Sequence, residues 1–183
     1  MEFQQTGIAG VVVATPRVFE DGRGYFMETW REELLNEALG YPVRFVQDNE
    51  SRSVRGVLRG LHYQRGAASQ AKLVRVLQGE VYDVAVDLRV GSPTFGHYVG
   101  VRLSAENHRQ LFVPRGFAHG FQVLSDVAVF AYKVDNRYAP ETEASIRYDD
   151  PDLAIDWPLK EGLILSDKDL QRAVSFAQAE KFG

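Results

Sequence analysis

Two of the four histidines lie in segments that could bring an imidazole to a cavity. His62 lies in the segment RGLHYQ (59–64), and His119 lies near the end of the segment VPRGFAHGF (113–121). The glycines let two backbone segments approach closely, and the neighbouring Val, Leu, Phe and Tyr residues are typical of strands. An imidazole that holds no metal titrates near neutral pH, so either side chain could remove a proton as a general base.

A metal site is the competing interpretation of the same two histidines. A divalent metal needs several convergent nitrogen or oxygen ligands, which a His-x-His pair and a later carboxylate can supply. Here Gln64 stands in the second place of such a pair, and the cation Lys72 follows it. Only His62 and His119 remain as ligands. A proton-transfer role for these histidines is therefore favoured over an iron or manganese site, because the sequence does not identify the carboxylate ligands that such a site would need.

Composition favours one ordinary globular domain over residues 1–183. The chain is 45% hydrophobic and 25% charged, and its net charge of −4 provides no basic field for nucleic acid or an anionic membrane. Cysteine is absent, which excludes disulfides and thiolate chemistry. No apolar segment approaches the length of a membrane span and the first residues lack a basic leader, so we expect a cytoplasmic protein.

Short segments rich in β-branched and aromatic residues, separated by turn signals, predict an all-β sandwich or barrel with a few short peripheral helices. The helices are predicted at Trp30–Ala38 and Ser166–Ala179, and Ser166 and Asp169 have the spacing of an N-terminal cap. The predicted strands are Gly10–Ala14, Arg44–Asn49, Val57–Tyr63, Ala71–Gln78, Glu80–Asp87, Phe95–Leu103, Gln110–Val113, His119–Val123 and Asp126–Val134.

These segments also resemble a known family. The pattern GLH (60–62) with Gly79, followed by PxGxxH (114–119), resembles the two histidine segments of cupins, which have a jelly-roll fold. Further pieces, in order along the chain, are similar to the nucleotide-sugar branch of cupins, the dTDP-4-dehydrorhamnose 3,5-epimerase family. They are RGxFxE (23–28), QDNxS (47–51), RGLHYQ (59–64), Tyr132 and LSDKD (165–169). The resemblance extends over essentially the whole chain.

The resemblance implies a substrate and a reaction. The substrate is a 4-keto-6-deoxyhexose joined to thymidine diphosphate, and protons at C3 and C5 are removed and returned beside the C4 ketone, without a metal or cofactor. His62 is the implied base and Asp169 orients it, while Tyr132 delivers a proton to the opposite face and Lys72 stabilises the enolate oxygen. The reaction would follow that of a dehydratase and precede that of a reductase in making dTDP-L-rhamnose for cell-surface polysaccharide.

The resemblance also implies how the nucleotide is bound. Guanidinium groups suit a diphosphate because they form bidentate bonds with phosphate oxygens, and amide side chains can hydrogen-bond the edge of thymine. The implied substrate-binding residues are Arg23, Phe26, Glu28, Gln47, Asn49, Arg59, His119, Glu143 and Lys168. The family forms a homodimer in which an N-terminal segment crosses to the partner, so we expect Arg23 and Glu28 to serve the other subunit's site.

Each catalytic assignment has a structural alternative, and His62 itself could be an ordinary core or turn histidine that donates to a backbone carbonyl. Tyr132 could be a packed strand residue, Lys72 a solvated strand residue and Asp169 a carboxylate that stabilises the first turn of a helix. Asp167 is the other carboxylate that could orient His62. His97 and His108 are predicted to lie on the surface without a role, and Arg115 is predicted to be a turn or surface residue.

Other functions remain open at this point. Members of the family act at C3 and C5 or at one of these carbons, and the spacing of residues does not distinguish them. A metal-dependent cupin would need ligands that the sequence lacks. A sugar-binding cupin without chemistry would have no need of a base and an acid on opposite faces of the ring.

Overall fold

The computed structural model describes residues 1–183 and consists mainly of antiparallel strands. Two short helices, α1 (Glu32–Leu39) and α2 (Asp167–Gln171), accompany the strands. The strands are β1 (Glu2–Gln5), β2 (Val12–Thr15), β3 (Val18–Asp21), β4 (Gly24–Met27), β5 (Gln47–Val54), β6 (Leu58–Gln64), β7 (Lys72–Gln78), β8 (Glu80–Asp87), β9 (Tyr98–Ser104), β10 (Gln110–Val113), β11 (Phe117–Val123), β12 (Val127–Val134) and β13 (Glu143–Ser145).

Two large sheets form the body of the protein. The first has the strand order β1-β2-β10-β7-β12-β5, and the second has the order β13-β6-β11-β8-β9. Strands β5 to β12 divide four to each sheet in the order of a jelly roll. The predicted all-β fold with short helices is confirmed. Strands β3 and β4 form a separate two-stranded sheet.

The main core lies between the two large sheets. Side chains alternate along each strand, so Val74 and Phe130 of the first sheet and Phe121 of the second point into one apolar cluster. Smaller clusters cover the outer faces, one of them formed by Leu35 of α1 with Leu73 and neighbouring residues. The inner face therefore becomes polar only where charged or amide side chains replace this apolar pattern.

The sequence prediction of helices was correct for α1 and too long for the second helix. The first helix ends at Leu39 and is capped by Gly40, whose φ of 78° is a left-handed conformation that favours glycine. The second helix begins after Ser166 as predicted but stops at Gln171, because Val174 forms a parallel bridge with Ile146. Neither helix is long and apolar enough to cross a membrane.

The predicted strands were confirmed in the body of the sheets and were wrong at several ends. Strand β5 continues five residues beyond the predicted end at Asn49, and β9 begins at Tyr98 rather than Phe95. Strands β1, β3, β4 and β13 were not predicted. These segments are short and largely polar or exposed, so they lack the apolar alternation that identifies a half-buried strand.

Candidate active site

An open cleft of about 280 Å³ lies between the two large sheets at one end of the jelly roll. Its walls come from strands β5, β7 and β12 of the first sheet and from β6 and β13 of the second. The lining residues are Gln47, Asn49, His62, Tyr63, Gln64, Gln70, Lys72, Tyr132, Tyr138 and Glu143. The structure thus brings six of the sequence-selected residues to one cleft: Gln47, Asn49, His62, Lys72, Tyr132 and Glu143.

His62 is held by Asp169 on one wall of the cleft. The Nε2 atom of His62 hydrogen-bonds Oδ1 of Asp169, and Ser166 Oγ donates to Oδ2 of the same carboxylate at 2.7 Å. Burial raises the pKa of Asp169, but the hydrogen bonds from His62 and Ser166 outweigh it and hold the pKa below its usual range. Asp169 is therefore a carboxylate that accepts from Nε2–H, which leaves the lone pair on Nδ1 of His62 free. Asp167 is exposed.

Tyr132 and Lys72 lie on the opposite sheet. Tyr132 of β12 pairs with Asn49 of β5, and Lys72 of β7 pairs with Val134 of β12, so all three polar side chains share the inner face. The Lys72 ammonium is 6.0 Å from the centroid of the Tyr132 ring. A ligand between the sheets would therefore meet His62 on one side and the Tyr132–Lys72 pair on the other.

Burial sets the protonation states on this second wall. Burial raises the pKa of Tyr132, with Arg59 acting in the opposite direction and Glu143 in the same direction. Burial lowers the pKa of Lys72 to about 8, although the carboxylates of Asp83 and Glu143 oppose it. At neutral pH Tyr132 is accordingly a phenol that can donate a proton, and Lys72 is mainly an ammonium.

An irregularity in β6 brings Arg59 and His62 to the same face. Residues three apart on a regular strand point to opposite faces, but here they pair with β11 residues that are only two apart, so β6 contains one extra residue. Glycine is needed at this point, because a Cβ on Gly60 would lie 2.6 Å from the Cα of Gly120. Arg59 Nε donates to Ser53 Oγ at 3.2 Å, and Arg59 is outside the lining of the cleft.

A second histidine–aspartate pair lies beside the first. His119 is directly opposite His62 in the pairing of β6 with β11, and its Nε2 atom is 2.9 and 3.0 Å from the carboxylate oxygens of Asp83. Both residues are buried, and His119 is not part of the cleft lining. His119 was selected from the sequence and Asp83 was not, because the one signal for Asp83 is an acidic residue within the apolar strand EVYDVAVD.

Two glutamines fix the rim of the cleft. Gln64, which occupies the place of a metal-binding histidine, accepts through Oε1 from the backbone N–H of Ala139 and the hydroxyl of Thr142, both at 2.9 Å. Gln47 Nε2 donates to Asn49 Oδ1 at 2.8 Å. Gln64 therefore anchors the segment before β13, while Gln47 and Asn49 present an ordered pair of amides to the cleft.

Glu143 closes the rim on the side of the second sheet. Its Oε2 atom accepts from the Tyr138 hydroxyl at 2.8 Å and from the Lys168 ammonium. Burial raises the pKa of Glu143, but Lys168 and Tyr138 outweigh it and lower the pKa below its usual range. Tyr138 was not selected from the sequence, where a tyrosine in a loop carries no distinctive signal. It is 48% exposed and lines the cleft.

The three remaining sequence-selected residues are not in the cleft of their own chain. Arg23, Phe26 and Glu28 lie on or just after the β3–β4 hairpin, and none of them lines the cleft. Arg23 pairs with Asp21 at 2.6 Å, Glu28 pairs with Arg31 at 2.7 Å, and Phe26 is 72% exposed. Within one chain, the structure therefore separates these three residues from His62.

The predicted surface residues are found mainly where expected. His97 and Arg115 are exposed, and Arg115 pairs with Asp135 at 2.8 Å. His108 is only half exposed, because its ring lies 5.0 Å from that of Tyr25.

Comparison with known proteins identifies the family. The family model described as dTDP-4-dehydrorhamnose 3,5-epimerase matches residues 5–177. The chain belongs to this family. The dTDP-4-dehydrorhamnose 3,5-epimerase of Pseudomonas aeruginosa is 57% identical over 182 residues, which cover 100% of this chain and 99% of that relative. A Streptomyces niveus relative described as a dTDP-4-dehydrorhamnose 3-epimerase is 43% identical, and the match covers 100% of this chain and 87% of that relative.

A solved structure of the family has the same fold. It is the dTDP-6-deoxy-D-glucose-3,5-epimerase of Legionella pneumophila in complex with dTDP-4-keto-L-rhamnose. Its sequence is 55% identical, and the TM-score is 0.91 over 94% of this chain and 92% of that chain. At this identity and coverage, the jelly roll described above is the fold of the family.

Proposed function

We propose that the protein converts dTDP-4-dehydro-6-deoxy-D-glucose to dTDP-4-dehydro-L-rhamnose by inverting C3 and C5 of the sugar. One observation carries the proposal: in a chain of this family, the His62–Asp169 pair faces Tyr132 and Lys72 across a single cleft. Inversion needs a base and an acid on opposite faces of the ring, and the two sheets supply these groups from opposite sides.

His62 acts as the base. Asp169 accepts from Nε2–H and fixes the tautomer, so Nδ1 is available to take a proton from a carbon beside the ketone. The carboxylate of Asp169 also stabilises the imidazolium that forms. The proton passes from carbon to His62, and the electron pair of the broken C–H bond moves to the C4 oxygen as an enolate.

Tyr132 and Lys72 complete the reaction from the other sheet. The Lys72 ammonium stabilises the enolate oxygen, because a preorganised positive charge interacts strongly with negative charge that develops in a partly buried site. The Tyr132 phenol then returns a proton to the opposite face of the carbon, which inverts it. No step transfers an electron or hydride, so the mechanism requires neither a redox cofactor nor a metal.

The nucleotide is bound at the rim and by charged groups beside it. Gln47 and Asn49 have amide groups that can hydrogen-bond the edge of thymine. Arg59 supplies a guanidinium close to the reacting groups that can bind a phosphate oxygen. His119, Glu143 and Lys168 are further substrate-binding residues in this proposal.

The β3–β4 hairpin completes the site of a second subunit. It exposes Phe19, Tyr25 and Phe26, and adjacent exposed aromatic side chains mark an interaction surface. In a symmetric homodimer, this hairpin would carry Arg23 and Glu28 to the partner's nucleotide. Sedimentation of the wild type and of Phe26→Asp tests the dimer, and a monomeric wild type would contradict it.

Proton exchange in D2O tests the reaction. Chelator-treated protein is incubated with dTDP-4-dehydro-6-deoxy-D-glucose, and NMR follows deuterium at C3 and C5. Exchange at both carbons with formation of the L-rhamno product is expected. Exchange at one carbon would instead indicate a single-site epimerase, like the Streptomyces niveus relative named above. No exchange would contradict an epimerase and favour a metal-dependent or non-catalytic protein.

A further inference from the structure

A buried carboxylate to which the proposed proton transfers assign no role lies behind the inner end of the cleft. Asp83 of β8 is 0% exposed, and the Nε2 atom of His119 is the only hydrogen-bond donor that reaches its carboxylate. A buried carboxylate is costly unless several donors compensate for lost water. A single contact with an imidazole is a poor arrangement for stabilising a fold, so another role is needed to explain this residue.

Lys72 is the second charged group at this end of the cleft. Its ammonium makes no hydrogen bond or ion pair within the chain, and the nitrogen is not sealed off from solvent. The ammonium is therefore open to the cleft. Asp83 and Glu143 are the carboxylates whose charges act on it.

His119 links Asp83 to the reacting groups. It lies opposite His62 across the β6–β11 pairing, and its ring stacks on Phe130 with 6.2 Å between centroids. Its Nδ1 atom has no partner within the chain and is not enclosed. The contact of Nε2 with the carboxylate thus leaves Nδ1 as the ring nitrogen of His119 that has no partner.

We propose that Asp83 is a positioning residue that orients His119 and balances the charge of Lys72 at the inner end of the cleft. This inference rests on the proposed function, because an enolate oxygen requires Lys72 in its ammonium form. The negative charge of Asp83 favours that form against the effect of burial. Asp83 thus acts through two neighbours and does not touch the substrate.

The charged and titratable groups around Lys72 come from five strands. They are Asp83 of β8, His119 of β11, His62 of β6, Tyr132 of β12 and Glu143 of β13. Near pH 8 Glu143 remains a carboxylate, because its pKa is lowered, and Tyr132 remains a phenol, because its pKa is raised. Lys72 is therefore the group expected to limit activity on the alkaline side.

The variant Asp83→Asn tests the proposal, because an amide oxygen can still accept from Nε2–H of His119 while the negative charge is removed. Two quantities are measured against pH: turnover, and the NMR titration of the Lys72 ammonium, assigned by its loss in Lys72→Met. Removing the carboxylate should lower the pKa of Lys72. The alkaline limb of turnover and the NMR midpoint should both move to lower pH by about one unit or more.

The matched control is Asp87→Asn, which alters a second buried aspartate on the same strand. It should leave the Lys72 midpoint unchanged, even if the protein becomes less stable. An unmoved midpoint in Asp83→Asn, or an equal shift in the control, would overturn the proposal. Should Asp83→Asn not fold, Asp83→Glu keeps the charge and displaces His119, so it should retain the midpoint and lose turnover. A moved midpoint with full turnover would contradict this.

The same experiment separates failure of this inference from failure of the proposed function. Wild-type protein that exchanges C3 and C5 hydrogens, with a midpoint insensitive to Asp83→Asn, would refute only the role of Asp83. Wild-type protein that exchanges neither hydrogen would refute the epimerase, whatever the midpoint does.

Discussion

Two aspartates on β8, Asp83 and Asp87, are both fully buried but have very different surroundings. Asp87 accepts from the guanidinium of Arg89 at 2.8 and 2.7 Å and from the hydroxyls of Ser92 and Thr94 at 2.6 and 2.8 Å. Asp83 has only the imidazole of His119. The same residue type on the same strand is thus fully compensated at the end of β8 and barely compensated in the middle of the strand.

The pKa values follow from this difference. Burial raises the pKa of both carboxyl groups, but at Asp87 the donors of Arg89, Ser92 and Thr94 outweigh it and lower the pKa to about 2. At Asp83 burial dominates and the pKa is raised. Asp87 therefore stabilises the fold, whereas the carboxyl group of Asp83 is left with one partner, the imidazole of His119.

The largest effect expected at the cleft end comes from His62→Ala. Removing the base should lower turnover and deuterium exchange by about 10²–10⁴-fold, the usual contribution of general base catalysis. The fold should remain, because His62 lies at the cleft and its loss leaves the apolar core intact. NMR in D2O measures the exchange, and His97→Ala is the control because His97 is exposed and distant from every motif. Wild-type exchange in His62→Ala would disprove the mechanism.

The next effect concerns Asp87, the compensated aspartate of β8. Asp87→Asn leaves the guanidinium of Arg89 and two hydroxyls without a carboxylate, which should reduce the free energy of unfolding by roughly 3 kcal/mol. Urea unfolding measures the loss, and catalysis per folded molecule should stay unchanged. Asp149→Asn removes an exposed carboxylate from a similar aspartate–arginine pair and should have a small effect.

The pH dependence of that stability difference sharpens the test. The folded pKa of Asp87 is about 2, below its usual value of 3.8, so the carboxylate stabilises the fold fully above pH 3.8. This contribution is lost as the pH falls toward 2. The difference between wild type and Asp87→Asn should shrink over that range, and a constant difference would argue against the carboxylate as its cause.

A smaller effect is expected for Arg59→Ala. Loss of a charge-assisted bond to phosphate should weaken thymidine diphosphate binding by about 1.5–3 kcal/mol, which is roughly 10- to 100-fold in Kd. Calorimetry measures the affinity. Arg52→Ala is the matched control, because Arg52 is an exposed arginine on β5 that alternates away from the inner face. Equal affinity in both variants would remove Arg59 from the nucleotide site.

The fold was predictable wherever apolar alternation is strong. Strands β7, β8 and β12 carry Val, Ala and Phe at inward positions, and their bounds were close to those predicted. The end of β5 was missed because Glu50–Val54 is mostly polar, although it pairs along its whole length with β12. The second helix was predicted too long because the sequence gives no sign of the bridge between Val174 and Ile146.

The site was predictable where motifs carry it and not where packing does. The segments with His62 and Asp169 were selected from the sequence, but their contact spans more than a hundred residues of chain and only the fold reveals it. Asp83 lies alone in an apolar strand, so nothing in the sequence distinguishes it from Asp87. Donor count separates the two, and donors come from elements that are distant in sequence.

Tyr132→Phe provides the most direct test of the central claim, that a base and an acid act from opposite sheets. NMR in D2O would follow both deuterium incorporation and the configuration at C3 and C5. We predict that this variant still exchanges hydrogen through His62 but forms little or no inverted product, because the opposite face has lost its proton donor. Inverted product formed at the wild-type rate would contradict the account.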